Sequence, residues 1–288
     1  LKHLECQYWS LLLSIYDKNI HFHLSWRKGC AIFAAHFSFI NQATMHFPHL
    51  KAIVFDLDNT LLDHTAAERK AISKFLPAYF DEPGIGTIFK ETPERFIAAY
   101  RHWNEILWHD LAMERISADN LKWQRFALPL RELVPTFTEQ DAERLGRNMG
   151  ATYLSLYADG WQLLPDADEI LHALGKRFRL GLITNGFSEQ QRGKIARFGW
   201  ESCFDTAILS GEFGVMKPHK AIFDHALKEL GIHAHEAVYV GDHYETDVVG
   251  ALGAGWRAIW FNPHQTPRSE NRADRTIFAL SELLQINA

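Results

Sequence analysis

Two aspartates one residue apart close an apolar run in AIVFDLDNT, so Asp56 and Asp58 stand at the end of a strand-like segment. Carboxylates that close repel each other unless a cation or a proton answers their charge. A third acid, Asp242, follows a second run of the same kind, AVYVG. Thr184 and Asn185 close a third run, RLGLIT followed by NG, and Lys217 lies in GVMKPHK. Were these runs neighbouring strands, their polar ends would meet at one sheet edge. Alternation along a strand then turns Asp56 and Asp58 the same way and Leu57 into packing. Carboxylates converging there need a cation, and an all-oxygen cluster with room for water and phosphate suits Mg²⁺.

The elements that must hold these groups follow from the apolar pattern. Strand-like runs at 51–55, 179–184, 206–210, 237–241 and 257–261 alternate with helical patterns at 166–177, 189–199, 219–231 and 245–255. Gly199 and Gly231 sit where two of those helices should stop. This alternation predicts an α/β fold, a Rossmann-like parallel sheet covered on both faces, with ligands beyond the carboxyl ends of the strands. One stretch breaks the rhythm. Residues 65–164 show no convincing strand but long helical patterns at 93–113, 117–133 and 138–157. We expect an all-helical domain of residues 65–164 inserted into a core made of 45–64 and 165–288.

Residues 1–44 fit neither part. Their apolar runs, WSLLLSIY and CAIFAAHFSFI, are shorter than the roughly 20 residues a spanning helix needs, and no signal-peptide cleavage pattern follows them. We expect an atypical extension ahead of Met45 that is not part of the working fold. A formal charge of −5 carries no basic footprint, which speaks against a nucleic-acid polymer as partner. Three cysteines without a CxxC pair suit a reducing cytoplasm rather than a disulfide scaffold or a zinc site. No membrane association is expected, and the sequence carries no signal of oligomeric state.

Four segments, DLDNT (56–60), LITNG (182–186), GVMKPHKAIF (214–223) and VGDHYETD (240–247), resemble in order the four motifs of the haloacid dehalogenase (HAD) superfamily. The resemblance spans residues 51 to about 262. It implies a phosphoryl-transfer site in which Asp56 is the nucleophile and Asp58 the general acid and base. It further implies Mg²⁺ held by Asp56, the Asp58 main-chain carbonyl and Asp242, and phosphate oxygens held by Thr184 and the Asn185 N–H. Lys217 would neutralise developing charge, with Thr60 and Asp247 in support. His243 departs from the small polar residue more usual there and is expected at the rim or in a structural role. The helical insert resembles a C1 cap closing over the site.

Within the insert, residues 104–126 are similar to the cap of bacterial pyrimidine 5′-nucleotidases of this superfamily, through Asn104, Leu107, Trp108, Ile116, Leu121, Arg125 and Phe126. Residues 183–205 resemble the same group. Asn104 and Arg125 are then the candidates for reaching a small phosphorylated substrate, while Trp108, Leu121 and Phe126 read as cap core. Trp103, Trp108 and Trp123 could stack on a base, although aromatics at helical spacing more often pack. The implied activity is that of a Mg²⁺-dependent nucleoside 5′-monophosphate phosphatase. The alternative is a sugar-phosphate phosphatase such as an N-acylneuraminate-9-phosphatase, whose group FDLDNTLLD also suits. Asp58 argues against a haloacid dehalogenase, which does not need the second aspartate. The intact Asp56, Asp58, Lys217 and Asp242 argue against an inactive phosphate-binding protein.

Overall fold

The structure, a computed structural model, describes residues 45–288, so the expectation for residues 1–44 lies outside the described residues. The strands are β1 (Met45–His46), β2 (Ala52–Phe55), β3 (Arg179–Thr184), β4 (Thr206–Leu209), β5 (Ala237–Gly241), β6 (Arg257–Phe261), β7 (Arg275–Ile277) and β8 (Ile286–Asn287). Six of them form one parallel sheet in the order β4-β3-β2-β5-β6-β7, and β1 pairs with β8 in a separate ribbon. Phe55 pairs with Leu182 on one side and Val240 on the other, so the residues following all three strands emerge together.

Every residue of β2 and β5 is buried because both faces of the sheet are covered. Ile53 and Phe55 face one cluster, built with Ile170, Leu171 and Leu174 of α6 (Ala167–Leu174) and Ile195 of α7 (Ser188–Arg197). Ala52 and Val54 face the other, built with Ile222, Phe223, Ala226 and Leu230 of α8 (Lys220–Leu230). A two-residue alternation thus sorts one strand between two helical layers.

Between β2 and α6 lie helices only: α1 (His64–Phe75), α2 (Gly86–Glu91), α3 (Pro93–Ala112), α4 (Ala118–Leu133) and α5 (Glu139–Ala158), with a 3₁₀ turn at Leu76–Tyr79. Local chemistry sets several of their starts. Asp63, Ser117 and Thr138 each accept a backbone N–H at the head of α1, α4 and α5. Gly146 and Gly150 let α4 and α5 approach at backbone distance. A Cβ on Gly150 would come within 2.5 Å of the Lys122 carbonyl, and one on Gly146 within 2.8 Å of the Trp123 carbonyl. This close pair fixes the face of α4 that carries Arg125. The helical insert joins the sheet domain through two chain crossings that hydrogen-bond to each other. The Asp63 N–H donates to the Gln162 carbonyl at 3.0 Å, and the Leu164 N–H to the Leu61 carbonyl at 3.0 Å.

The strand-like runs at 51–55, 206–210 and 257–261 become β2, β4 and β6, and two more coincide with β3 and β5. The pattern at 245–255 forms a π-helical turn at Tyr244–Val249 followed by a short helix, Gly250–Gly253. The strands β1, β7 and β8 were not anticipated; two or three residues are too few to show a period. Among the described residues no helix is long and apolar enough to cross a membrane.

Candidate active site

Asp56, Asp58, Thr60, Thr184, Asn185, Lys217, Asp242 and Asp247 gather at the carboxyl ends of β2, β3 and β5 and in the loops beyond them. Lys217 is their centre. Its ammonium is buried and lies 2.6 Å from Asp56 Oδ1, 2.7 Å from Asp247 Oδ1 and 2.7 Å from the Tyr239 hydroxyl. Tyr239 in turn donates to the Ile183 carbonyl at 2.7 Å, so the lysine is tied across the sheet. The Asn185 side chain fixes the lysine backbone from both sides: its Nδ2 donates to the Lys217 carbonyl at 3.0 Å and its Oδ1 accepts the Lys217 N–H at 2.9 Å.

The acids around Lys217 form a tight group. One carboxylate oxygen each from Asp56, Asp242 and Asp247 lies within 4.8 Å of the others. Three carboxylates against one ammonium leave two negative charges, the charge of one divalent cation, and an all-oxygen donor set suits a hard one. Burial pushes the Asp56 carboxyl up to about 7, with Lys217 pulling it down and Asp247 pushing it up. Burial, then the charges of Asp56 and Asp247, hold Asp242 well above the usual carboxylate range. Burial also opposes the Lys217 ammonium, but Asp247 and Asp56 outweigh it and keep the lysine charged well above its ordinary value.

Asp247 is buried beside Lys217. Besides Lys217 it accepts the His243 N–H on Oδ2 at 3.0 Å, and it packs against Gly241, where a Cβ would collide with it. Both of its oxygens are therefore engaged, which suits holding Lys217 in place. His243 has the structural role expected of it: Nδ1 accepts the Thr246 N–H at 3.3 Å and starts the π-helical turn. Thr60 bridges to the Asp242 loop, accepting the Asp242 N–H at 3.1 Å and donating to Asp242 Oδ1 at 3.3 Å.

Asp58 belongs to a second network that sequence reasoning missed. Buried Lys194 donates to both Asp58 oxygens at 2.7 Å, and Gln191 Nε2 donates to Asp58 Oδ2 at 3.0 Å. Burial alone would raise the Asp58 carboxyl, but the charges of Lys194 and His64 together with the hydrogen bonds from Lys194 and Gln191 hold the group below the usual range. The same Gln191 amide reaches Thr184 Oγ1 at 2.6 Å, so one side chain links Asp58 to Thr184. A signal was available: Gln191 and Lys194, three apart, share one face of a helix that starts just after Asn185.

The insert supplies the opposite wall. A cavity of about 80 Å³ is lined by Asp58, Asn185 and Lys194 from the sheet domain and by Asn104, Arg125 and Tyr153 from the helices. Phe187, next but one after Asn185, also lines it and stacks on Trp108 with ring centres 5.2 Å apart. Leu121 and Phe126 are core, as expected, whereas Trp108 is only partly buried and faces the cleft. Trp103 instead donates to Glu132 at 2.8 Å, and Trp123 lies under the Arg147 guanidinium at 5.0 Å, so neither lines this cavity.

A model of haloacid dehalogenase-like hydrolases matches residues 50–255. The chain belongs to that family. Among its sequence relatives, this HAD hydrolase is 34% identical over 192 residues to the pyrimidine 5′-nucleotidase YjjG of Escherichia coli K12, covering 65% of this chain and 80% of the other. It is 29% identical to the pyrimidine 5′-nucleotidase PynA of Streptococcus pneumoniae, over 74% of this chain and 84% of that one. It is 29% identical to the N-acylneuraminate-9-phosphatase of Mus musculus, over 76% and 85%. Among solved structures, the HAD-hydrolase YfnB of Bacillus subtilis superposes with a TM-score of 0.66 at 25% identity, covering 81% of this chain and 96% of YfnB. That structure is described as bound to magnesium and as revealing interdomain movement. With phosphatases and nucleotidases as its relatives, the HAD hydrolase is an enzyme of the superfamily's phosphatase branch.

Proposed function

We propose that this phosphatase is Mg²⁺-dependent, works through an aspartyl-phosphate and acts on nucleoside 5′-monophosphates. The observation that carries the reading is the pair of separately held aspartates: Asp56 on Lys217 at 2.6 Å and Asp58 on Lys194 at 2.7 Å. Two carboxylates in different environments can take different roles in one reaction. An Asp56 oxygen attacks phosphorus, the ester P–O bond breaks, and the leaving oxygen takes a proton from Asp58. Water then attacks phosphorus while Asp58 accepts its proton, freeing the Asp56 carboxylate and inorganic phosphate. A substrate phosphate beside Asp58 supplies like charge and competes for Lys194, which favours the protonated acid at the moment it is needed.

Asp56, Asp242 and the Asp58 main-chain carbonyl would hold Mg²⁺, which when bound neutralises nucleophile and phosphate together. Thr184, already oriented by Gln191, and the Asn185 N–H would receive phosphate oxygens, while Lys217 answers the charge that builds during transfer. The nucleotidase relatives and the helical wall with Asn104 and Arg125 support the nucleotide assignment. The neuraminate phosphatase relative keeps a sugar phosphate as the second reading.

The deciding experiment is phosphate release with Mg²⁺ from UMP, dUMP and dTMP against N-acylneuraminate 9-phosphate and other sugar phosphates, with Asp56→Asn as control. Preference for the nucleotides is expected. The reverse ranking would move the assignment to sugar phosphates, and release no faster than that of Asp56→Asn from any substrate would refute both.

A further inference from the structure

Arg125 on α4 is 5% exposed, yet its Nε and Nη2 donate to no partner among the described residues. Asn104 Oδ1 on α3 is likewise buried and unpaired. Both side chains line the cavity that also holds Asp58. A buried donor or acceptor without a partner is costly, and a guanidinium more so. Nε and Nη2 lie on one edge of the guanidinium, the fork that donates two parallel N–H bonds in one plane. The rest of the arginine is held by rings: its Cζ lies 4.8 Å from the Tyr153 centre, 5.2 Å from Phe126 and 5.8 Å from Phe187. The guanidinium is thus fixed in position with its fork left open, and an acceptor oxygen lines the same space.

We infer that Arg125 and Asn104 read the ring edge of a pyrimidine base, the guanidinium donating to a ring carbonyl and the Asn104 oxygen accepting a ring or exocyclic N–H. This deepens the nucleotidase reading and rests on it. The complement of two donors and an acceptor is an edge that offers both lone pairs and an N–H. A plain carboxylate satisfies only the fork; it leaves Asn104 Oδ1 unpaired and brings negative charge beside Glu68, which lines the same cavity. Size favours one ring over two. At about 80 Å³ the cavity has room for two or three waters. The cap must therefore lift to admit any base, and a single ring needs less lift than a fused one. Phe187 and Trp108, stacked on each other, also line a neighbouring cavity of about 660 Å³, so this aromatic pair borders both spaces.

The test compares kcat/KM for UMP, AMP, ribose 5-phosphate and phosphoserine in the Mg²⁺-loaded enzyme, its Arg125→Met and Asn104→Leu variants, and Asn104→Asp. The UMP to ribose 5-phosphate ratio is expected to fall about 10- to 100-fold in the first two variants. Asn104→Asp, which keeps the acceptor, is expected to retain more of the ratio than Asn104→Leu. Wild type is expected to favour UMP over AMP. Equal losses on UMP and ribose 5-phosphate, or a ratio that survives in both variants, would overturn the inference while leaving the nucleotidase reading intact. A loss by Arg125→Met confined to phosphoserine would overturn it in favour of carboxylate recognition. Absence of any nucleotide preference in wild type would instead refute the nucleotidase reading, and this inference with it. Asn104→Leu changes a partly buried side chain of similar size, so the test stands even where Arg125→Met fails to fold.

Discussion

On the sheet side of the cleft Asp56, Asp58 and Asp247 each already have a cationic partner, whereas on the helical side Arg125 and Asn104 keep unpaired atoms. Both walls are largely buried, so burial alone does not separate them. What differs is where each group finds its complement. On the sheet wall the fold itself supplies partners, Lys217 and Tyr239 beside Asp56 and Lys194 and Gln191 beside Asp58, and only the excess charge of the Asp56, Asp242 and Asp247 group is left for a cation. The helical wall keeps buried polar atoms that, on the proposed reading, a substrate completes. A division of this kind lets one chemistry be kept while selectivity is set elsewhere, because the groups that choose are not those that react.

The comparison can be broken most severely at Asp56, the proposed nucleophile. Asp56→Asn is expected to lower phosphate release by at least about 10⁴-fold on every substrate alike, measured as kcat/KM. Lys217→Met comes next. It leaves Asp56 and Asp247 without their shared cation, so activity should fall about 10²- to 10³-fold and denaturant unfolding should show a loss of about 3–5 kcal/mol. Lys194→Met removes the partner of Asp58 but leaves the Lys217 cluster whole, and an activity loss of about 10- to 100-fold is expected in steady-state assays. Substrate-dependent losses in any of these three would erase the contrast between the walls.

A smaller effect tests the sheet wall through stability. The folded Asp56 sits at about 7 against 3.8 for its ordinary value, so between these pH values the native state keeps a proton that the unfolded chain has lost. Stability from this group therefore declines as pH rises through that window. In metal-free buffer the melting temperature of Asp56→Asn should gain on that of wild type more at pH 8 than at pH 5, by on the order of 1–4 kcal/mol in stability. A gain equal at both pH values would show that Asp56 is not strained by burial. The smallest effect is expected on the outer face of the insert. Trp103→Phe loses one bond to exposed Glu132 and should change stability by less than about 0.5–1 kcal/mol, with unaltered substrate ranking.

The same contrast explains what the sequence makes legible. Strands β2, β3, β5 and β6 read nearly to the residue because a strand buried on both faces is an unbroken apolar run. Acids at the ends of such runs stand out, and Asp56, Asp58 and Asp242 were visible for that reason. Gln191 and Lys194 were not, since α7 reads as a polar surface helix and only the tertiary approach of Asp58 gives its inner face a purpose. Tyr239 was hidden too, although a hydroxyl in the middle of a buried strand is a signal in itself. Asn104 and Arg125 stood out only by resemblance. They lie on two different helices, so no spacing in the sequence pairs them, and their unpaired atoms are a property of the assembled cleft.

The two crossings that join the insert to the sheet domain have a mechanical consequence. Laced together at Asp63–Gln162 and at Leu61–Leu164, they form a narrow ribbon, which flexes readily out of its own plane but resists sliding of one chain along the other. Movement of the insert against the sheet domain would turn on this ribbon like a door on a leaf hinge. Asn59, whose N–H is bonded to the Leu62 carbonyl at 2.7 Å, sits at the foot of that leaf, one residue after Asp58. A swing of the insert about this ribbon would shift the backbone beside Asp58, so opening of the cleft would be coupled to the acid proposed as proton donor.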